Sequence, residues 1–242
     1  MAKRDDRKPR IWVIEGALKE TVLRVRHEEN TINKGKMNEK GLWKELVACI
    51  LGSNVRYEQA YSAVRGLGKE GLLSWESHIA KPARWEKEMA NYLSERRFLP
   101  KRKNGLLCRY RYPRAAASRI KNTALAIYGN DLKIRTILMN STSPMEARNN
   151  IINKSKGIGP KQASLFLRNI GYSNDFAVLD THVVHYLMLA GIMEVPADSL
   201  KSMNRYLQIE QLFQQYADSL QATAAEVDLA IWVLMRAFKE EK

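Results

Sequence analysis

A chain of 242 residues that is 45% hydrophobic can bury a sizeable core, and its net charge of +14, from 40 Lys and Arg against 26 Asp and Glu, suits a polyanionic partner. Two cysteines, Cys49 and Cys108, are too few for a disulfide framework or a four-cysteine iron–sulfur cluster, and they lack zinc-site spacing. No apolar run approaches the roughly 20 residues of a membrane span, and the charged opening "MAKRDDRKPR" lacks the apolar stretch of a secretory leader, so a reduced cytoplasm is expected.

The pattern is helical nearly throughout. Residues 11–27 mix Val, Ile and Thr; a helix is expected there, with a short strand as the alternative. "NEKGLWKELVACILGS" puts Leu42, Leu46, Cys49 and Ile50 on one face, with Asn38 as its cap. "ARWEKEMANYL" repeats Trp85, Met89, Tyr92 and Leu93. Residues 94–112 read as an extended basic loop. From 96 to 121 there are ten basic side chains (Arg96, Arg97, Lys101, Arg102, Lys103, Arg109, Arg111, Arg114, Arg119, Lys121) and no acid. A charge run of this kind is either a solvated loop or a nucleic-acid surface, and the interleaved Phe98, Tyr110 and Tyr112 favour the second, because rings stack on bases. "PRAAASRIKNTALAIYG" opens a helix on Pro113 and ends it at Gly129.

"PMEARNNIINK" (144–154) predicts a helix with Met145, Ile151 and Ile152 inward, followed by the turn "KGIGP". The next helix starts at Pro160, carries Ala163, Phe166, Leu167 and Ile170 at i, i+3, i+4, i+7, and stops at Gly171. This is helix, glycine hairpin, helix. Glycine allows positive φ and lets another backbone come close. The free N–H groups at the second helix's start suit a phosphate. Lys161 lies in that first turn, where the dipole opposes a cation by some tenths to about 1 kcal/mol. It is either a phosphate-touching surface lysine or an amine nucleophile whose neutral form burial would favour. Asp180 precedes "THVVHYLMLAG" as its N-cap, a structural role compatible with stabilising positive charge or moving a proton. His182 and His185 sit near it at i, i+3, but no further ligand cluster accompanies them and no metal site is expected. "RYLQIEQLFQQYADSL" and "AAEVDLAIWVLMRAF" close the chain as helices.

"GIGPKQASLFLRNIGYSNDFAVLDTHV" resembles the helix–hairpin–helix DNA glycosylases, and most of all the type 2 8-oxoguanine DNA glycosylase/lyases. "LWKELVACILGSNV" is similar to that family's first core helix and Asn-bearing loop, "RYRYPRAAASRI" to its basic segment, and "AEVDLAIW" to its C-terminal Leu-Asp-Leu-x-x-Trp helix. The resemblance runs from about residue 20, with 68–108 longer than the family usually carries. It implies an all-α fold of two helical subdomains flanking a DNA-binding cleft. Residues 36–139 would form the central subdomain; the resemblance leaves the role of the longer stretch at about 68–108 open between a flap over the pocket, an additional DNA contact and an influence on lesion choice. Residues 1–35 plus 140–242 would form the second, carrying the helix-hairpin-helix (144–170) and the catalytic residues.

The same resemblance implies base-excision repair of double-stranded damaged DNA. The lesion is flipped out of the stack, Lys161 attacks C1′ and forms a Schiff base, Asp180 stabilises the developing charge, and β-elimination nicks the strand. Asn54 would fill the vacated space. Gly157, Ile158, Gly159, Arg56, Arg109, Arg111 and Arg114 would hold DNA, and Trp232 and Lys242 would meet the extruded base. No cofactor is required, although hairpin carbonyls could hold a monovalent cation in the DNA complex. A monomer in the cytoplasm, on the nucleoid of a prokaryote, is expected. Two rival readings are the same chemistry on an oxidised pyrimidine, as in endonuclease III-like enzymes, and a non-enzymatic hairpin DNA binder. The first usually brings four cysteines after the aspartate helix, and none follows Cys108.

Overall fold

The structure, a computed structural model, describes residues 11–31, 37–193, 200 and 202–240. Twelve helices occur among them: α1 (Ile11–Thr31), α2 (Glu39–Leu51), α3 (Tyr57–Lys69), α4 (Trp75–His78), α5 (Pro82–Ser94), α6 (Pro113–Tyr128), α7 (Ile134–Met139), α8 (Pro144–Lys154), α9 (Pro160–Asn169), α10 (Thr181–Leu189), α11 (Met203–Ser219) and α12 (Ala224–Glu240). They fall into two units: Lys36–Ile170, and Met1–Gly35 with Gly171–Lys242. The division expected at 139/140 falls instead at 170/171. The reason lies in α8 and α9. Their apolar positions Ala147, Ile151, Ala163, Phe166 and Leu167 are buried, with α9 packed on α2 and α8, and α8 on α6 and α7.

In the central unit, the Asn38 side chain accepts from the amide of Gly41 and starts α2 as expected. Leu42, Leu46, Cys49 and Ile50 are buried, as their spacing requires. Met145, at 42% exposed, and the half-buried Ile152 depart from the inward face expected for this helix; the inward positions of α8 are Ala147, Arg148 and Ile151. The long segment 68–108 is built into the core. Trp85 is buried and donates its Nε1–H to the carbonyl of Leu72 at 2.8 Å, while Trp43 donates to Leu73 at 3.0 Å. α5 then lies along α6. Trp75 stacks on Tyr128, with ring centroids 4.2 Å apart, and Trp43 meets Tyr128 edge-on.

The other unit packs α1 along α12, with α10 and α11 against the same α12. Residues 11–27 are helical because Ile14, Leu18, Val22 and Val25 form one buried stripe. They pack with Val183, Leu187, Phe213, Val227 and Ile231. Arg26 on α1 clasps Glu226 on α12 through two bonds, Nε to Oε1 at 2.7 Å and Nη2 to Oε2 at 3.0 Å. No helix among the described residues is long and apolar enough to cross a membrane.

Candidate nucleic-acid interface and catalytic groups

The hairpin of the central unit is held from below by α6. The amide of Lys156 donates to Thr123 Oγ1 at 3.0 Å. Gly157 follows with φ +78°, and a Cβ there would lie 2.5 Å from Arg119 Cδ. Both the backbone conformation and the close side chain demand glycine. Ile158 turns inward and is buried, anchoring the loop to the protein. Gly159 is different from the expectation that both glycines serve the turn. Its φ is −108°, and an added Cβ would meet nothing within 4 Å. It is the N-cap of α9, and no side chain caps that helix. The open space beside it and the uncapped first-turn amides leave a site shaped for an approaching phosphate. Pro160 and then the half-buried Lys161 follow in the first turn.

A second group of predicted residues gathers about the turn after α2. Asn54 takes φ +57°, is exposed, and its carbonyl accepts from Arg111 Nη1 at 3.4 Å. Arg56 is exposed at the N-cap of α3. The carbonyl of Arg109 accepts from Gln59 Nε2 on α3 at 2.7 Å, and the Tyr110 hydroxyl donates to the carbonyl of Leu51 at 2.7 Å. Arg109, Arg111 and Arg114 all present exposed side chains. The interleaved aromatics do less than the sequence suggested: Phe98 and Tyr110 are buried, and of the three only Tyr112 is exposed, with the Arg111 guanidinium 5.0 Å from its ring centroid. Burial pushes the Tyr110 hydroxyl's pKa up, with the nearby Arg119 charge acting in the opposite direction. Arg119 therefore lies close to both Tyr110 and Gly157 and links the two groups. Its only signal in the sequence was membership of the basic run.

Asp180 belongs to the other unit. Its Oδ1 accepts from the amides of His182 at 2.8 Å and Val183 at 3.0 Å, capping α10 as predicted. Oδ2 carries neither bond. The strand of chain leading to it is strapped down: Val178 donates its amide to Asp228 Oδ2 at 3.0 Å, and Tyr206 donates its hydroxyl to the carbonyl of Ala177 at 3.0 Å. Asp228, within the "AEVDLAIW" segment, is a buried carboxylate on α12. Trp232, one turn on, is half-buried, with the Arg236 guanidinium 4.7 Å from its ring centroid. Lys242 lies outside the described residues. No group of three or more His, Cys, Asp or Glu able to hold a metal ion occurs among the described residues.

A family model described as 8-oxoguanine DNA glycosylase matches residues 23–222. An 8-oxoguanine DNA glycosylase/AP lyase of Sulfurisphaera tokodaii is 32% identical over 197 residues, covering 80% of this chain and 82% of that protein. The corresponding protein of Korarchaeum cryptofilum is 30% identical over 197 residues, 81% of each chain. The crystal structure of the 8-oxoguanine DNA glycosylase of Thermotoga maritima superposes with a TM-score of 0.66 at 27% identity, over 91% of this chain and 96% of that one.

Proposed function

The chain belongs to the 8-oxoguanine DNA glycosylase family, and on that premise we propose that it excises 8-oxoguanine from duplex DNA and cleaves the strand at the abasic site. The observation that carries the reading is the uncapped start of α9, where Lys161 follows directly on the Gly157–Gly159 hairpin, in a chain whose family match spans both the hairpin and the Asp180 helix.

Backbone amides at the start of α9 and the carbonyls of the hairpin hold the DNA strand. The arginines about the Asn54 turn neutralise further phosphates, and Asn54 takes the space of the flipped nucleotide. Nζ of Lys161 forms a bond to C1′ while the bond from C1′ to the base nitrogen breaks, and the base leaves with a proton. The sugar ring opens to a Schiff base. Loss of a C2′ proton then expels the 3′ phosphate, which nicks the strand. Asp180, fixed through Oδ1, has Oδ2 left to stabilise the cationic sugar and to move protons. Trp232 and Lys242 belong to the base pocket in this reading. Carbonyls of Gly157 and Gly159 would hold a monovalent cation in the DNA complex, which would supply positive charge to the bound strand. The enzyme acts as a monomer on nucleoid DNA in the cytoplasm.

Borohydride should trap the protein covalently on an 8-oxoguanine duplex, and less on duplexes bearing oxidised pyrimidines. Lys161→Gln should abolish the trapped band; a band that persists removes the lysine from its role. Asp180→Asn keeps an oxygen for the cap, so it should fold normally while turnover falls about 10²- to 10⁴-fold.

A further inference from the structure

The tip of the loop between α5 and α6 concentrates three cations, beyond the Arg97–Glu95 pair at the loop's start. Some exposed cations of the central unit have acidic partners: Arg84 with Glu88 at 2.8 Å, Lys40 with Glu76 at 3.5 Å, and Arg97 with Glu95. Lys121 likewise meets Glu86 at 2.6 Å. Lys101, Arg102 and Lys103 are consecutive and exposed, and none makes an ion pair among the described residues. No acid occurs anywhere between residues 96 and 130.

The tip is also built rather than loose. At its base Phe98 is buried and pairs antiparallel with Cys108, through bonds of 3.0 and 2.8 Å. The amide of Leu99 donates to Ser62 Oγ on α3 at 3.2 Å. At the tip Arg102 donates its amide to Leu106 at 2.8 Å, Gly105 donates to Arg102 at 2.9 Å with φ +78°, and Leu106 donates to Asn104 Oδ1 at 3.2 Å. Three like charges are thus presented on a closed turn, with the ordering cost already met by the fold. The returning strand runs straight into Arg109 and Arg111, which fasten to α3 and to the Asn54 turn. The tip is the outer end of one basic strip whose inner end the proposed reading puts on DNA.

We infer that Lys101, Arg102 and Lys103 form an additional duplex-DNA contact, gripping backbone phosphates beyond those held at the Asn54 turn and the hairpin. This rests on the DNA-repair reading. The contact is sequence-blind, since a phosphate carries charge but no base identity. It would lengthen the footprint and hold the enzyme on undamaged duplex during search.

The test compares the full chain with Lys101→Ala/Arg102→Ala/Lys103→Ala, by fluorescence anisotropy on an undamaged duplex of about three helical turns across a salt series. These side chains are exposed, so the melting temperature should change little. Each lost phosphate contact lowers the magnitude of the log K against log salt slope by about 0.9, so the triple variant should lose about 2.7. Lys101→Arg/Lys103→Arg should keep the wild-type slope. Borohydride trapping at saturating 8-oxoguanine DNA should be equal in all three proteins. An unchanged slope in the alanine variant overturns the contact. So does a loss of trapping at saturation with the slope preserved, which would place the tip in the chemistry instead. A wild type that binds but never traps fails the glycosylase reading, and the slope difference then still decides the tip.

Discussion

Gly157 and Gly159 sit two residues apart and do different work, and substitution separates them. Gly157→Ala must hold φ +78° with a Cβ against Arg119 Cδ; the left-handed backbone alone costs about 1–2 kcal/mol. Denaturant unfolding should show at least that loss, and adding Arg119→Ala should recover the steric part. Gly159→Ala meets open space in an ordinary conformation. Its stability should stay within about 0.5 kcal/mol of wild type, while DNA affinity falls because the methyl occupies the place of the approaching backbone. A Gly159→Ala protein that binds duplex normally would remove the close approach at that position. Lys161 and Asp180 were legible in the sequence because each sits at a helix start with its punctuation beside it: Pro160 and two glycines for one, a capping carboxylate before an apolar stripe for the other. Arg119 and Asp228 were not. Their partners, Gly157 and Val178, are remote in the chain, and Asp228 meets its partner across 50 residues. Neither periodicity nor composition registers a contact made only by folding.

Helices with long apolar stripes were readable from spacing alone, and the Asn38 and Asp180 caps with them. Helix α1 was less clear because Val, Ile and Thr suit either element; burial of Ile14, Leu18, Val22 and Val25 on one side resolves it. The 95–112 loop misled in one respect, since a row of aromatics among cations reads as a stacking surface, and tertiary packing claims Phe98 and Tyr110 first. The clasp between α1 and α12 has a pH signature. The Arg26 hydrogen bonds, then the amide of Thr223, hold the Glu226 carboxyl below its ordinary pKa, against the opposing effect of burial. A depressed folded-state pKa stabilises above the unfolded value of about 4.3 and loses that contribution as pH falls through the folded value. Arg26 is 39% exposed, so solvent screening keeps the contribution near 1 kcal/mol or less. Melting temperatures measured from pH 7 to pH 3 should fall less steeply for Arg26→Gln than for wild type. Parallel curves would mean that the clasp contributes nothing to linkage.

At the scale of the whole molecule, the charge of +14 is an electrostatic statement about partners. If about five phosphates are neutralised, log K for duplex DNA should fall by about 4.5 per decade of salt. A titration between 50 and 200 mM salt at fixed temperature, about those used to expose such slopes, checks it, and a flat response would take the basic strip off the interface. The boundary between units was the least legible feature. Nothing in composition changes at 170/171, because the chain passes from α9 to the next segment through an ordinary glycine ending, Gly171 at φ +69°. That partition has a consequence for how the protein comes into being. The central unit is one uninterrupted length of chain, whereas α1 is covered by helices that come after residue 171. At roughly 5–20 residues per second on the ribosome, the greasy side of α1 emerges first and waits many seconds for its cover, while the hairpin-bearing portion can already close on itself. A premature stop between residue 170 and α12 would therefore release a chain with a competent-looking middle and a sticky, orphaned beginning, a natural substrate for chaperones and proteases.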